Sequence, residues 1–201
     1  MEIMAVLLMM EVKSLNTKNA CTNLETPRML LRKLSLTDAD DLFHVFSDEE
    51  TTNYVPREKH TDKMVTIKHL ESLIKRMDEG ISFVWSVIDK IDNRVVGTAN
   101  LSFKQDRAAS IGAVISSERW GRGIATEALK EIIDFGFNKM KLIRIEGKCE
   151  SNNIASEKML KKLGMTYEGT LRKEVIIKDI PRDAKIYSIL NEEYNSLRTN
   201  K

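Results

Sequence analysis

Two glycines with basic neighbours are the part of this sequence that points most directly to chemistry. Gly121 and Gly123 follow an apolar run over residues 109–115 and precede a stretch whose apolar residues recur at helical spacing. The first N–H groups of a helix lack intrahelical partners, and the helix dipole places partial positive charge there. Glycine also lets a ligand approach the backbone closely, and Arg119 and Arg122 add attraction for a polyanion. The pattern therefore predicts a diphosphate site, although an ordinary strand-to-helix turn with incidental glycines is the alternative.

The elements that must position this turn alternate along the chain, with no long linker and no internal repeat. Hydrophobic alternation and turn residues predict strands over residues 29–34, 83–87, 95–103, 109–115, 142–149, 166–177 and 183–190. Helices are predicted from a capping box at Thr37 and Asp40, from a Thr61 cap to Gly80, over 123–138 and over 153–163. The last two strands form a hairpin, which we expect to turn at residues 179–181. Periodicity alone predicts a mixed α/β fold.

Length and charge limit the class of protein. The chain has 201 residues, enough for one α/β domain with a continuous core. Its 32 Lys and Arg nearly balance 30 Asp and Glu, so bulk charge indicates neither nucleic acid nor an acidic membrane as a partner. Two cysteines, Cys21 and Cys149, are too few for a disulfide framework, which favours reduced thiols and a cytoplasmic protein.

The N-terminus is apolar but lacks the features of a signal peptide. Residues 1–10 contain Glu2, lack a basic region and a cleavage site, and are too short to span a bilayer. We therefore expect an N-terminal extension with little order over residues 1–22 and a single domain over residues 23–198.

The run Trp120-Gly121-Arg122-Gly123-Ile124-Ala125 resembles the (Gln/Arg)-x-x-Gly-x-(Gly/Ala) signature of GCN5-related N-acetyltransferases, the GNAT family. Trp120 stands where that signature has Gln or Arg, but the RimJ/RimL-like branch, which acetylates ribosomal proteins, carries W-G-x-G-x-A-T-E-A, a run that this chain has intact. Residues 24–32, and residues 153–156 together with 162–165, fit the same branch. The resemblance spans about residues 24–190. It implies the GNAT fold, a mixed and mostly antiparallel seven-stranded sheet with a central splay, flanked by about four helices.

The resemblance also implies acetyl-CoA as co-substrate. Its pyrophosphate would lie on the glycine turn, and its pantetheine arm would lie in the splay, where a backbone amide near Val114 would stabilise the oxyanion. The cofactor-binding residues implied are Ala113, Val114, Ile115, Trp120, Gly121, Arg122, Gly123, Ile124, Ala125, Thr126, Asn153 and Ser156. Asn153 is equally suited to cap a helix, and both roles can coexist.

The catalytic assignments depart from the family pattern. An alkyl amine is protonated at neutral pH, so a base must remove a proton before attack. Relatives often place a Glu where this chain has Ser110, which leaves Glu150 and Glu174 as candidate bases, with ordinary surface carboxylates as the alternative. Many relatives carry a Tyr as the acid for the leaving thiolate, but Leu160 occupies that position. Ser156 is the candidate acid.

The acceptor stays open at this stage. A protein N-terminal α-amine, a polyamine, an amino acid and an aminoglycoside are all compatible with the resemblance, as is a homodimer. A noncatalytic acyl-CoA-binding or interaction module on the same fold is the alternative to an enzyme. His44, His60 and His69 lack partners at metal-ligand spacing, and His44 and His69 fall on predicted helix surfaces, so no metal is expected.

Overall fold

The computed structural model of this protein describes residues 21–199, and a single open sheet forms its centre. The strands are β1 Leu24–Glu25, β2 Met29–Lys33, β3 Ser82–Asp89, β4 Arg94–Phe103, β5 Ala108–Ile115, β6 Arg144–Glu150, β7 Thr166–Ile177 and β8 Ile180–Leu190. They lie side by side in the order β1-β2-β3-β4-β5-β6-β8-β7. All neighbouring pairs are antiparallel except β5 and β6, which are parallel. The sheet therefore has eight strands where seven are predicted, because the two-residue β1 is too short to show alternation.

Six helices accompany the sheet within the described residues: α1 Ala39–Ser47, α2 Glu49–Thr52, α3 Lys63–Asp78, α4 Ile124–Asn138, α5 Ile154–Lys162 and α6 Asn191–Thr199. Short 3-10 turns at Leu36–Asp38 and Ser117–Arg119 precede α1 and α4. The four predicted helices are α1, α3, α4 and α5. Helix α2 is not predicted because one turn is too short for a periodic pattern, and α6 is not predicted because it is mostly polar.

Each face of the sheet carries its own hydrophobic cluster. Phe83, Trp85 and Val87 of β3 pack with α4 and α5, whereas Val84 and Ile88 pack with α1 and α3. This alternation follows from the two-residue period of a strand. The sheet therefore separates an α4/α5 side from an α1/α3 side, and the two sides contribute different parts of the site.

The first predicted helix start is displaced. The capping box consists of Ser35 and Asp38, since the Ser35 hydroxyl accepts from the N–H of Thr37 and the Asp38 carboxylate accepts from the N–H of Ser35 at 3.0 Å. The prediction of a box at Thr37 and Asp40 is wrong, because the 3-10 turn places the cap two residues earlier.

Two further predicted boundaries are shifted along the chain in the structure. Asp62, rather than Thr61, caps α3 by accepting from the main-chain N–H three residues on at 3.0 Å. The terminal hairpin turns at Lys178 and Asp179, whose φ values of 49° and 60° are those of a two-residue hairpin turn, and residues 180–181 already belong to β8.

The predicted extension over residues 1–22 lies outside the described residues, except for Cys21 and Thr22. Cys21 is half-buried against the core, and the Trp85 indole N–H donates to the Thr22 carbonyl at 2.9 Å. The domain boundary at residue 23 stays a prediction. None of the helices within residues 21–199 is long and apolar enough to cross a membrane.

Candidate active site

The turn between β5 and α4 is tied to β5 by an aromatic side chain. Trp120 follows the 3-10 turn Ser117–Arg119, and its indole N–H donates to the Ile115 carbonyl at 2.8 Å. Gly121 and Gly123 have φ values of 74° and 75°. This left-handed backbone conformation costs conformational free energy for any residue with a Cβ. The turn thus depends on glycine for its backbone conformation.

The space in front of the turn is open. A Cβ built on Gly121 would meet no heavy atom within 4 Å, and one on Gly123 would meet the Arg28 guanidinium at 3.7 Å. Gly123 occupies the N-cap position of α4 and offers no side-chain bond to the amides of residues 124–126. These amides and the helix dipole can therefore hold a phosphate in a cradle that a side chain would fill.

Hydrogen bonds from the β1–β2 turn fix the start of α4. The Glu127 carboxylate accepts from the Thr26 hydroxyl at 2.6 Å and from the main-chain N–H and Nε of Arg28 at 3.0 and 2.7 Å. Desolvation raises the pKa of Glu127, but the bonds from Thr26 and Arg28 outweigh it, so the pKa lies below its ordinary value. Arg28 also donates to the Arg122 carbonyl at 2.8 Å. These contacts are not predicted from the sequence, although their residues all lie in the runs that carry the family resemblance.

The two arginines of the turn differ in what they can attract. Arg119 is 17% exposed and forms ion pairs with Asp92 and, at 3.4 Å, with Asp89. Its charge is compensated, so the expectation that it attracts a polyanion is wrong. Arg122 is exposed, and no carboxylate of the described residues pairs with it.

The sheet opens between its two parallel strands. β5 and β6 pair from Ala108 with Arg144 to Ile111 with Gly147, and pairing stops there although both strands continue. This is the central splay that the family resemblance implies.

Strand alternation decides which amides face the gap. Ser116 donates to the Val96 carbonyl at 2.9 Å on β4, and Lys104 donates to Ala108 at 2.8 Å, so the even-numbered residues of β5 bond to β4. The N–H of Val114 therefore points away from the gap. The odd-numbered Ala113 and Ile115 direct their amides into it, and the Ile115 carbonyl is taken by Trp120. Near Val114, the amides that could act as the expected oxyanion donor are therefore those of Ala113 and Ile115.

Helix α5 begins on the far side of the gap, directly after β6. The Asn153 side chain accepts from the main-chain N–H of Ser156 at 2.9 Å, so the predicted capping role is confirmed. Ser156 is half-buried, and none of the described residues bonds to its hydroxyl. Leu160 is 2% exposed and lies against Gly147, where an added Cβ would come within 2.4 Å of it. The position that relatives give to a Tyr is core in this protein.

The two candidate bases have different surroundings. Glu150 is 7% exposed and accepts from the N–H and side-chain amide of Asn152 at 2.9 and 3.2 Å. No Lys or Arg of the described residues forms an ion pair with it. Glu174 is exposed and pairs with Lys148 at 2.7 Å. The surface alternative therefore describes Glu174 and not Glu150.

One buried carboxylate near Ser110 was missed. Glu146 of β6 is 8% exposed and pairs in register with Ser110 of β5. The position of Ser110 is the one at which the family resemblance implies a Glu. Glu146 is bonded to Lys104 and lies 3.5 Å from Arg144. Both cations compete with an incoming amine for this carboxylate, so it is a poor candidate base. A Glu one strand away cannot be related to Ser110 without the strand register.

One of the three histidines is placed differently from the expectation. His44 is exposed, but His69, predicted on a surface, is half-buried against Phe46 and His60, with ring centroids at 5.6 and 5.5 Å. α3 turns that face toward α1 rather than to solvent. Within residues 21–199, no group of three or more His, Cys, Asp or Glu side chains could hold a metal ion.

A pocket of about 340 Å³ lies behind the turn, between α1, the start of β4 and residues 116–119. Both of its arginines are already paired, because Arg94 binds Asp41 and Arg119 binds Asp92. We therefore place the site at the gap and not in this pocket.

Known proteins share this architecture and up to about a third of the aligned sequence. The family model described as Acetyltransferase (GNAT) domain matches residues 28–166. A Bacillus licheniformis protein named Uncharacterized N-acetyltransferase p20 is 35% identical over 173 residues, which cover 85% of this chain and 97% of that protein.

Two solved structures extend the comparison. An acetyltransferase (GNAT family) from Bacillus anthracis superimposes with a TM-score of 0.75 at 27% identity, over 85% of this chain and 99% of its own. RimL, a ribosomal L7/L12 alpha-N-protein acetyltransferase in complex with coenzyme A, has a TM-score of 0.77 at 17% identity, over 84% of this chain and 97% of its own. The second likeness is one of fold alone.

Proposed function

Because this chain belongs to the GNAT acetyltransferase family, we propose that it transfers the acetyl group of acetyl-CoA to a primary amine by direct attack of the amine on the thioester. The observation that carries the proposal is the gap between β5 and β6, which opens on the same sheet as the glycine turn at the start of α4. Acetyl-CoA needs two adjoining features: a free strand edge for the arm that carries the thioester, and free backbone amides for its diphosphate.

The diphosphate end would be held by backbone. The amides of residues 124–126 point out of the start of α4, and Gly121 and Gly123 leave the approach to them open. Arg122 supplies an uncompensated positive charge at the turn, while Trp120 holds the turn to the edge of β5. Fixed amides and a helix dipole need no rearrangement to bind an anion.

The pantetheine arm would bond to the free edge of β5. Ala113 offers both its N–H and its carbonyl, and Ile115 offers its N–H. An amide from this pair, held rigidly by the β4–β5 ladder, would stabilise the negative charge that develops on the thioester oxygen. Asn153 and Ser156 would contact the arm from the α5 side of the gap.

The reaction removes two protons from the ammonium form of the acceptor and delivers one to the sulfur. We assign removal of the first proton to Glu150, directly or through water, because it is buried and forms no ion pair within the described residues, whereas Glu174 is neutralised by Lys148. Attack of the neutral amine forms the C–N bond, the nitrogen then releases its second proton to solvent, and collapse of the tetrahedral intermediate breaks the C–S bond. Ser156 would give its hydroxyl proton to the departing thiolate and recover one from solvent. A buried acetyl-transfer site needs such a donor because a free thiolate is a poorer leaving group than a thiol.

Cysteine chemistry is an unsuitable alternative. Burial raises the pKa of the Cys21 thiol to about 12, and burial also raises the pKa of Cys149. Since the thiolate is the nucleophile, neither side chain is suited to take up the acetyl group in a covalent intermediate.

The test is release of free CoA thiol from acetyl-CoA in the presence of an amine panel: a peptide with a free N-terminus, an amino acid, a polyamine and an aminoglycoside. Calorimetric titration with CoA is run beside it. Thiol release that depends on an amine supports the proposal. CoA binding with no release for any amine would instead favour a noncatalytic acyl-CoA-binding module, and no CoA binding would refute both.

A further inference from the structure

A second pocket, of about 240 Å³, lies on the α1/α3 side of the sheet next to the gap. Its floor is formed by side chains of the central strands, including Val114 of β5. Cross-strand pairing places Thr98 beside Val114, and Ser82 beside Ser102. Because neighbours of Val114 direct their amides into the gap, this pocket adjoins the place where the acetyl group would be delivered. It lies on the face opposite α4.

The wall of the pocket is cationic. Arg57, from the segment before α3, and Arg76, on α3, both line it, together with His69 and Leu73. The lining contains no Asp or Glu, and no carboxylate within residues 21–199 forms an ion pair with either arginine.

Arg57 is held in place by groups that do not compensate its charge. Its guanidinium lies 4.8 Å from the centroid of the Phe46 ring and contacts Nε2 of His69. Burial, followed by the charges of Arg57 and His60, lowers the pKa of His69 to about 4, so the imidazole is neutral at pH 7 and can accept from the guanidinium. The geometry fixes Arg57 while leaving its positive charge unpaired.

Two buried polar atoms of the pocket are also without partners. Nε of Arg57 and the hydroxyl of Ser82, whose residue is 2% exposed, are buried and accept or donate no hydrogen bond within the described residues. Buried polar groups are nearly always paired in folded proteins, because an unmade hydrogen bond costs the full desolvation of the group. Two such groups beside an unpaired guanidinium indicate a ligand with acceptor atoms.

We propose that this pocket binds an anionic group of the amine acceptor, so that the enzyme prefers an amine that also carries a carboxylate. The inference rests on the proposed acetyl transfer. A guanidinium binds a carboxylate through two parallel N–H donors, and because Nη1 of Arg57 contacts His69, its Nε and Nη2 edge remains for such a bond. Polyamines and aminoglycosides, which carry several positive charges, would be repelled. The carboxylate has two sources, the α-carboxylate of a free amino acid and an acidic side chain near a protein N-terminus.

The experiment measures thiol release with matched acceptors. One arm compares L-methionine with L-methioninamide, and a second compares the amidated peptides Ser-Glu-Ala and Ser-Gln-Ala, each with a free N-terminus. Spermidine serves as the cationic acceptor. In one arm, kcat/KM is expected to be about tenfold or more higher for the carboxylate than for its neutral partner, as a charge-assisted hydrogen bond requires. The pair of acceptors that shows this difference in kcat/KM identifies the source of the carboxylate.

Variants connect the preference to the pocket. Arg76→Gln, at an exposed position that forms no ion pair within the described residues, should raise KM for the carboxylate acceptor about tenfold and leave the neutral partner unchanged. Lys75→Gln, on the same helix and outside the pocket, is the matched control and should change neither. Arg57→Gln should abolish the preference, with a melting curve to verify folding.

The outcomes separate this inference from the proposed function. Equal use of carboxylate and neutral acceptors, or preference for spermidine, would overturn the inference while acetyl transfer stands. If no amine is acetylated, the proposed function fails, and calorimetric binding of N-acetylmethionine to the wild type and Arg76→Gln still judges the pocket. Binding that is lost in Arg76→Gln supports it, and equal or no binding refutes it.

Discussion

Replacing Gly123 by Val should weaken acetyl-CoA binding more than it destabilises the fold. Gly123 has a φ of 75°, and a β-branched residue in this conformation costs about 1–2 kcal/mol. No protein backbone obstructs the new side chain, since the nearest atom to an added Cβ is the end of Arg28 at 3.7 Å. The expected loss of stability is therefore only this strain, a decrease in Tm of about 2–8 °C for a domain of this size.

The effect on the ligand has a separate cause. Val at this position either occupies the open space in front of the amides of residues 124–126 or shifts the turn to negative φ and redirects them. Either change should cost about 1–3 kcal/mol of binding, which is a roughly 5- to 150-fold weaker Kd for acetyl-CoA. Calorimetric titration gives the Kd, and a melting curve gives the strain.

Gly80→Val is the matched control. Gly80 follows α3 with a φ of 70°, so the same substitution introduces the same type of strain far from the turn. It should lower Tm comparably and leave the Kd for acetyl-CoA unchanged. An unaltered Kd in a folded Gly123→Val protein, or equal losses of affinity in both variants, would refute the assignment of the diphosphate to this turn.

Three further outcomes are expected. Ser156→Ala should lower kcat by about 10²-fold at unchanged Tm, because the cap of α5 uses Asn153 and only the main chain of residue 156; full thiol release in this variant would exclude its hydroxyl as proton donor. Glu127→Ala removes a charged acceptor of three hydrogen bonds and should destabilise the fold by about 1.5–3 kcal/mol in a denaturant titration, with weaker CoA binding as the start of α4 moves. Hydrogen bonds from Arg144, and then from Ser188, lower the pKa of Glu168 from 4.5 to about 2, so its contribution to stability is complete above pH 4.5 and is lost as the pH falls toward 2. Glu168→Gln should therefore show a flatter dependence of Tm on pH in that interval than the wild type, and parallel curves would contradict this reasoning.

The glycine turn illustrates what local sequence predicts well. Gly121 and Gly123 are separated by one residue and followed at once by a helical pattern, and the structure places both at positive φ at the start of α4. The cap at Asn153 is equally local, since it bonds to the amide three residues on. Interactions within one helical turn depend on the neighbouring residues alone, which is why their patterns are visible in the sequence.

Predictions from local sequence were off by one or two residues where neighbouring residues could play the same structural role. Thr61 and Asp62 are both good caps, and only the path of the chain into α3 selects Asp62. The orientation of β5 is similar: the sequence indicates a strand, but pairing with β4 decides that Ala113 and Ile115, not Val114, direct their amides into the gap.

The sequence by itself determined the family, the order of elements around the glycine turn and the two glycines at positive φ before α4, because these depend on runs of neighbouring residues. Only the tertiary structure decided which charged side chains remain free to bind a ligand. Arg119 is compensated by acids at the end of β3 and in the turn after it, while Arg57 forms no ion pair within the described residues and lies over the sheet beside the gap. Compensation of a charge depends on which distant segments fold against it, and at separations such as the 101 residues between Thr26 and Glu127 no spacing rule in the sequence records the contact.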